Sequence, residues 1–253
     1  MSYTAGFGRA WRAPVGALAR SNVPMSQVPV PVLRPCGDSA VSVELGEGID
    51  LAVNRRVHAL GRALAAQGHP GIVALNPAYR SLFVEYDPRR CSFEELALLV
   101  ESAALAPESG QAPGAEVEIP VCYGGDLGPD LEEVAVLHGL DPARFAELHA
   151  AALYHVYLVG FTPGFPYLGG LDPRLHTPRR ATPRERVAAG SVGIADRQTG
   201  IYPIESPGGW QIIGRTPLRL FDLEREPPFL VPAGARLRFR PISRKEYDRL
   251  AGA

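Results

Sequence analysis

His155 and Tyr157 sit two residues apart in HVYLVG, a short apolar run that ends at Gly160. Residues at that spacing on a strand share a face, and an imidazole beside a phenol can hold, donate or relay a proton. A lone histidine on a strand is also a common core residue, so two readings stand. Downstream, Arg179, Arg180, Arg184 and Arg186 cluster beside Pro178 and Pro183. Guanidinium forks on a stiff loop suit a carboxylate or phosphate, which they grip bidentately; the alternative is a solvated loop. Gln198, Thr199, Tyr202, Ser206 and Arg215 supply donors and acceptors of the kind that orient a small ligand. Gly208 and Gly209 would let backbone amides approach that ligand, while Trp210 after them reads as core. The candidates for catalysis are thus His155 and Tyr157. Those for binding are Arg179, Gln198, Thr199, Tyr202, Ser206, Gly208, Gly209 and Arg215.

Familiar catalytic motifs are missing from the sequence. No Gly-x-x-x-x-Gly-Lys phosphate loop occurs, and Ser206 precedes Pro-Gly-Gly rather than sitting in a Gly-x-Ser-x-Gly elbow. The six histidines show neither His-x-x-x-His nor His-Glu-x-x-His spacing, so no metal site is expected. No general base announces itself. The chain does not read as a self-sufficient enzyme.

The segment that must position these residues runs from Gly160 to Pro217, and roughly a third of it is Gly or Pro against about 12% in average usage. Phe161, Phe165, Tyr167, Leu168, Ile194, Tyr202, Trp210, Ile212 and Ile213 are interleaved, which disordered segments lack. Ordered, often-turning backbone is the reading, with Gly160–Leu175 as a functional loop. Strands are expected at Tyr154–Val159, Ser191–Ala195, Gly200–Ile204, Trp210–Ile213, Leu218–Phe221 and Arg236–Arg240, which together suggest a closed barrel. Ahead of them come a strand at Val117–Val121 and two short helices, Asp130–Leu137 and Pro142–Ala152. That pair resembles a helix-turn-helix, but Asp130, Glu132, Glu133, Asp141 and Glu147 would face phosphate, which argues against DNA. A capped helix, Ser243 with Glu246, closes the chain.

Before residue 106 the pattern differs. Ser39–Leu45 alternates as a strand, Asp50 caps a helix to Gln67, and Ile72–Leu75 and Ser81–Tyr86 flank an Asn76-Pro77 turn. Ser92 with Glu95 opens a helix through Leu105 as a capping box. This order is most of a ferredoxin-like split βαβ unit. The expected fold class is α+β: a flexible extension over 1–28, an N-terminal ferredoxin-like α/β domain over 29–106, a linker over 107–115, and a barrel domain over 116–253.

A formal net charge of -1 offers no footprint for nucleic acid, and no window approaches the ~20 apolar residues of a membrane span. Cys36, Cys91 and Cys122 are odd in number with no Cys-x-x-Cys pair, which points to buried thiols in a reducing cytoplasm.

HVYLVGFTPGFPYLGGLDPRLHTPRR, followed by AGSVGIADRQTGIYPIESPGGWQIIGRTPLRLFD, closely resembles the family called allophanate hydrolase subunit 1, which is also the family of 5-oxoprolinase B subunits. The resemblance extends from about Pro31 to Ile242. It implies that the barrel is cyclophilin-like, without implying prolyl isomerase activity. It also implies two partners: allophanate hydrolase subunit 2, equivalent to the 5-oxoprolinase C subunit, and a third chain, the 5-oxoprolinase A subunit. Together they would open 5-oxoproline to glutamate with ATP, the nucleotide being a cofactor of the complex. On this reading the candidate residues line one wall of an active site shared with the C subunit. The family also includes KipI, which suggests a second reading: a binding module that inhibits a sensor histidine kinase, docking through the aromatics of Phe161–Tyr167. Two departures from the family pattern stand near the site, Ala188 and Asp196, the latter where Gly or a small residue is common.

Overall fold

The computed structural model describes residues 30–105 and 116–252; the expected extension over 1–28 and linker over 107–115 lie outside the described residues. Two compact units result.

The first contains β1 (Val32–Pro35), β2 (Ala40–Glu44), α1 (Leu51–Gln67), β3 (Ile72–Pro77), β4 (Ser81–Tyr86) and α2 (Phe93–Ala104). The strands form one antiparallel sheet in the order β1-β2-β4-β3. Val41 and Val43 of β2 and Leu82 and Val84 of β4 bury one face against Val57, Leu60 and Leu64 of α1 and Leu96 and Val100 of α2. The Asp50 carboxylate starts α1 by accepting from the amides of Ala52 and Val53, and Gly68 ends it in the left-handed region at φ 61°. Two local expectations need correcting. Asn76-Pro77 belongs to β3, and the turn lies after it, where buried Asn54 of α1 donates to the carbonyls of Ala78 and Tyr79. At α2 the box is half made: Ser92 Oγ caps the Glu95 amide, while the Glu95 side chain goes to His69.

The second unit is a closed seven-stranded barrel in the order β10-β7-β6-β13-β5-β12-β9. Its strands are β5 (Glu116–Tyr123), β6 (Leu153–Gly160), β7 (Phe165–Gly169), β9 (Ser191–Ala195), β10 (Gln198–Ile201), β12 (Gln211–Arg215) and β13 (Arg236–Pro241). Neighbours run antiparallel except β13 and β5, which are parallel. A ribbon of β8 (Arg184–Val187) and β11 (Ser206–Gly208) lies apart from the barrel ladder. Inward side chains, including Ile119, Val121, Tyr154, Val156, Leu168, Val192, Ile194, Ile201, Ile213 and Leu237, fill the interior. Two helices, α3 (Leu131–Leu137) and α4 (Pro142–Ala151), bury Leu131, Val134, Phe145 and Leu148 in the same core, so the helix-turn-helix-like pair closes the barrel. A last helix, α5 (Arg244–Ala251), follows β13 and is capped by Ser243. Among the described residues no helix is long and apolar enough to cross a membrane.

The Gly-rich stretch is not the loop its composition predicts: its FPYLG is the barrel strand β7. Leu168 faces the interior while Phe165 and Tyr167 join a second apolar cluster, so both faces carry large side chains and alternation is lost. Leu218–Phe221 is no strand; Phe221 makes only an isolated bridge to Phe229. The strand expected at Gly200–Ile204 is β10, shifted back to Gln198–Ile201.

Candidate functional site

Strand parity sorts the candidates. Tyr154 and Val156 of β6 point into the barrel, so His155 and Tyr157 point outward. Their rings meet edge to face at 5.2 Å. Tyr157 is the extra residue of an irregularity in the pairing of β6 with β7, and it lies against Gly169, the partner of His155. A methyl group at Gly169 would run into the Tyr157 ring. Gly169→Ala is therefore expected to displace Tyr157 and disturb His155, destabilising the protein by about 1–3 kcal/mol; the near-UV circular dichroism spectrum and the unfolding midpoint check it.

On the same outer surface Phe165, Tyr167, Tyr202, Trp210 and Ile212 form a second core, which Val187 of the β8–β11 ribbon joins. Phe165 meets Tyr202 at 5.2 Å and Trp210 at 5.4 Å, both edge to face. Trp210 is core, as its sequence context suggests, and Gly208 leaves room for the Tyr202 phenol, which accepts from the Trp210 amide. The Trp210 amide thus serves Tyr202, and the Gly209 carbonyl takes the Arg180 amide at 2.8 Å.

The arginine cluster divides. Arg180 and Arg184 both reach the buried Asp130: Arg180 Nη1 at 3.0 Å, Arg184 Nη1 at 2.9 Å and Nη2 at 2.6 Å. The Ile212 amide donates to the same carboxylate at 2.6 Å. Bidentate carboxylate recognition does occur here, but the carboxylate is the chain's own. Asp130 consequently makes no side-chain cap on α3. This knot, with Gln211 Nε2 donating to the Pro178 carbonyl, pins the segment 178–184 to β12. Arg179, between two pinned neighbours, is left facing solvent and pairs only loosely with Asp196 at 3.2 Å, each side chain about 60% exposed. Arg186 faces Glu205 at 3.6 Å in solvent.

Tyr167 and Tyr202 are pushed up by burial, and the Arg179 charge pulls both back down. Both phenols are therefore neutral donors at pH 7, with a guanidinium close by. Gln198 flanks outward-facing Gly200 on β10, the strand that pairs with Tyr167. His155, Tyr157, Tyr167, Gln198, Tyr202 and Arg179 thus share the outer side of β6, β7 and β10. Tyr167 is not among the sequence candidates because its strand carries the composition of a loop; its spacing from Leu168 and Phe165 is the available signal.

Thr199 goes elsewhere. It is fully buried inside the barrel, where its hydroxyl donates to the Gly193 carbonyl at 2.9 Å and so must accept from His149 Nε2, also at 2.9 Å. His149 Nδ1 then accepts from the Tyr123 hydroxyl at 2.8 Å. The same logic holds for Thr177, which donates to the Leu175 carbonyl and accepts from His138. A nucleophile must give its proton to a base; these two threonines give theirs to carbonyls, so neither pair is an activated hydroxyl. Ser206 and Arg215 flank the β8 and β9 side of the surface, and each holds a buried polar atom, Oγ and Nε respectively, with no hydrogen-bond partner among the described residues. A buried donor left unmade costs about 1–3 kcal/mol, so an incoming polar group gains by meeting it.

One group among the described residues has metal-ligand chemistry: His69, Cys91 and Glu95, whose ligand atoms lie within 4.8 Å of one another. His69 Nδ1 accepts from the Gly71 amide at 3.1 Å, so Nε2 carries the proton and donates to Glu95 at 3.2 Å. The lone pair a metal would need is not on offer. The trio reads as a structural contact in the first unit.

Residues 31–231 match the family described as carboxyltransferase domain, subdomain C and D. The chain is 46% identical over 226 residues to the 5-oxoprolinase B subunit of Bacillus subtilis, covering 85% of this chain and 94% of that protein. To the 5-oxoprolinase B subunit of Escherichia coli O157:H7 it is 44% identical over 210 residues, 81% of this chain and 93% of that one. Among solved structures, TTHA0988 superposes with a TM-score of 0.74 at 43% identity, covering 81% of this chain; the chain spans 40% of the TTHA0988 chain.

Proposed function

Since the chain belongs to the carboxyltransferase domain (subdomain C and D) family, we propose that it serves as the B subunit of a 5-oxoprolinase. The observation that carries this is identity of 42–46% with three bacterial proteins of that name, each matched over nearly its whole length. The complex would convert 5-oxoproline, ATP and water to glutamate, ADP and phosphate in the cytoplasm. It would need the C subunit, which completes the active site, and the A subunit. We read the N-terminal unit as ferredoxin-like, since its strand order β1-β2-β4-β3 fits that pattern except that the outer strand precedes the others in sequence, and the barrel as cyclophilin-like.

This chain's own work would be recognition. Arg179 receives the ligand carboxylate, the phenols of Tyr167 and Tyr202 and the amide of Gln198 orient the ring, and His155 beside Tyr157 holds a proton next to the lactam. ATP supplies the driving force for opening the amide at the level of the complex. Arg179→Ala is expected to raise the KM for 5-oxoproline about tenfold or more in the reconstituted complex, since a charge-assisted bidentate contact contributes roughly 1.5–3 kcal/mol. An unchanged KM would remove Arg179 from the site.

A second reading, a KipI-like inhibitor of a sensor histidine kinase, draws on Phe161. The residue is 69% exposed, its ring meets Phe165 edge to face at 5.9 Å, and its backbone sits at φ 60°, a conformation that costs a non-glycine residue roughly 1–2 kcal/mol. An aromatic held out at such a tip suits docking. Loss of kinase binding in Phe161→Ala would support this reading, and absence of binding by the intact chain would end it.

A further inference from the structure

We infer that Asp196 is an internal carboxylate that occupies Arg179 until the carboxylate of the ligand displaces it. The inference rests on the reading that Arg179 receives a ligand carboxylate, and it adds an internal competitor to that site. Three observations carry it. First, the pair is exposed on both sides, with Arg179 Nε 3.2 Å from Asp196 Oδ2. Exposed pairs of this kind contribute little, so displacing Asp196 from Arg179 costs a ligand little. Second, Asp196 is fixed while its partner is long and flexible. Its amide donates to the Thr177 carbonyl at 2.7 Å, and it lies in the short turn between β9 and β10 with φ 54°. When Arg179 swings to a ligand, Asp196 stays behind. Third, the turn does not itself ask for a charge. Glycine or asparagine adopts this left-handed conformation at least as readily as aspartate, so the property particular to Asp196 is its negative charge.

The arrangement has a chemical consequence. A ligand that brings a carboxylate replaces the interaction it breaks, and the guanidinium remains paired throughout. A neutral amide of similar shape breaks nothing and gains nothing from Arg179. The pair therefore lowers the affinity for the acid by what it contributes in the free protein, and leaves the affinity for a neutral amide unchanged.

The test compares wild type, Asp196→Asn and Arg179→Ala in the complex assembled with its partner subunits, measuring KM and kcat for 5-oxoproline. Asparagine keeps the turn and removes the competing charge. Asp196→Asn is expected to lower KM about 2–5-fold with kcat within about twofold. A KM that is unchanged or raised in Asp196→Asn, while Arg179→Ala raises it, overturns the inference and leaves the carboxylate reading standing. A KM unmoved by Arg179→Ala overturns both. A titration of the assembled complex without ATP, using L-5-oxoproline and followed by the arginine Nε–H resonances of this chain, reads the same exchange without turnover. There Asp196→Asn is expected to bind about 2–5-fold more tightly, and equal or weaker binding contradicts the inference.

Discussion

Replacing Asp130 with alanine is expected to lower the unfolding free energy by about 3 kcal/mol and to loosen the segment that presents Arg179. The Asp130 side chain is 4% exposed, and its two oxygens together take two guanidinium groups and the Ile212 amide. Removing one member of a buried ion pair costs roughly 3–5 kcal/mol because the partner charge is left behind. Arg180 and Arg184 are 32% and 26% exposed, so water relieves part of that, which favours the low end. The Ile212 amide has no such relief, and its loss adds about 1–3 kcal/mol before relaxation. Denaturant unfolding checks the size. Arg186→Ala is the control: its contact with Glu205 at 3.6 Å lies in solvent and is expected to contribute at most about 1 kcal/mol. A drop below about 1 kcal/mol in Asp130→Ala would mean that the knot holds nothing together.

The second large effect is at His149, and it is pH-dependent. His149 is fully buried, stacks on Phe239 at 4.7 Å, and links Tyr123 to Thr199. Burial lowers its pKa from an ordinary 6.5 to about 3. The folded state therefore keeps it neutral where the unfolded chain protonates it. Its contribution to stability is complete above pH 6.5 and is lost as the pH falls from there toward 3. The loss is about 1.4 kcal/mol for each pH unit in that window. His138 is lowered too, by burial and by the charge of His176, so it acts in the same direction. A His149→Leu variant isolates the larger share. At pH 7 it is expected to be destabilised by about 3 kcal/mol, from the broken polar chain and altered packing. Between about pH 7 and pH 5 it is expected to lose about 2 kcal/mol less than the wild type. Equal acid sensitivity in the two proteins would show that the buried imidazole is not what makes the barrel acid-labile.

How much of this is legible in the sequence depends on distance along the chain. Helix α1 is readable to the residue because its signals are local: Asp50 at the start, Gly68 past the end, and Val57, Leu60 and Leu64 on one face. Strands covered on one side only, such as β2, alternate and can be found. Strand β7 cannot, since the barrel interior and the second core cover its two faces and Pro166 sits within it. The short β1, with a single buried residue and a terminal proline, offers too little pattern. At the site, spacing alone puts His155 and Tyr157 on a shared face, as the fold has them. The same rule separates Thr199 from Gln198, because neighbours on a strand face opposite ways, and grouping them by residue type overlooks it. The fate of Arg180 and Arg184 is hidden, because Asp130 lies 50 and 54 positions away and carries the local signal of a helix start. Local chemistry names the residue types; only the fold decides which charges are already spent.

The measurement that bears most directly on the central claim is ATP-dependent hydrolysis of 5-oxoproline by this chain mixed with the A and C subunits proposed for it, each component omitted in turn. Glutamate and phosphate formed by the full mixture, and abolished when this chain is left out, is the expected result. Full activity without this chain, or none in the complete mixture, would contradict the assignment of its outer barrel surface to a 5-oxoprolinase active site.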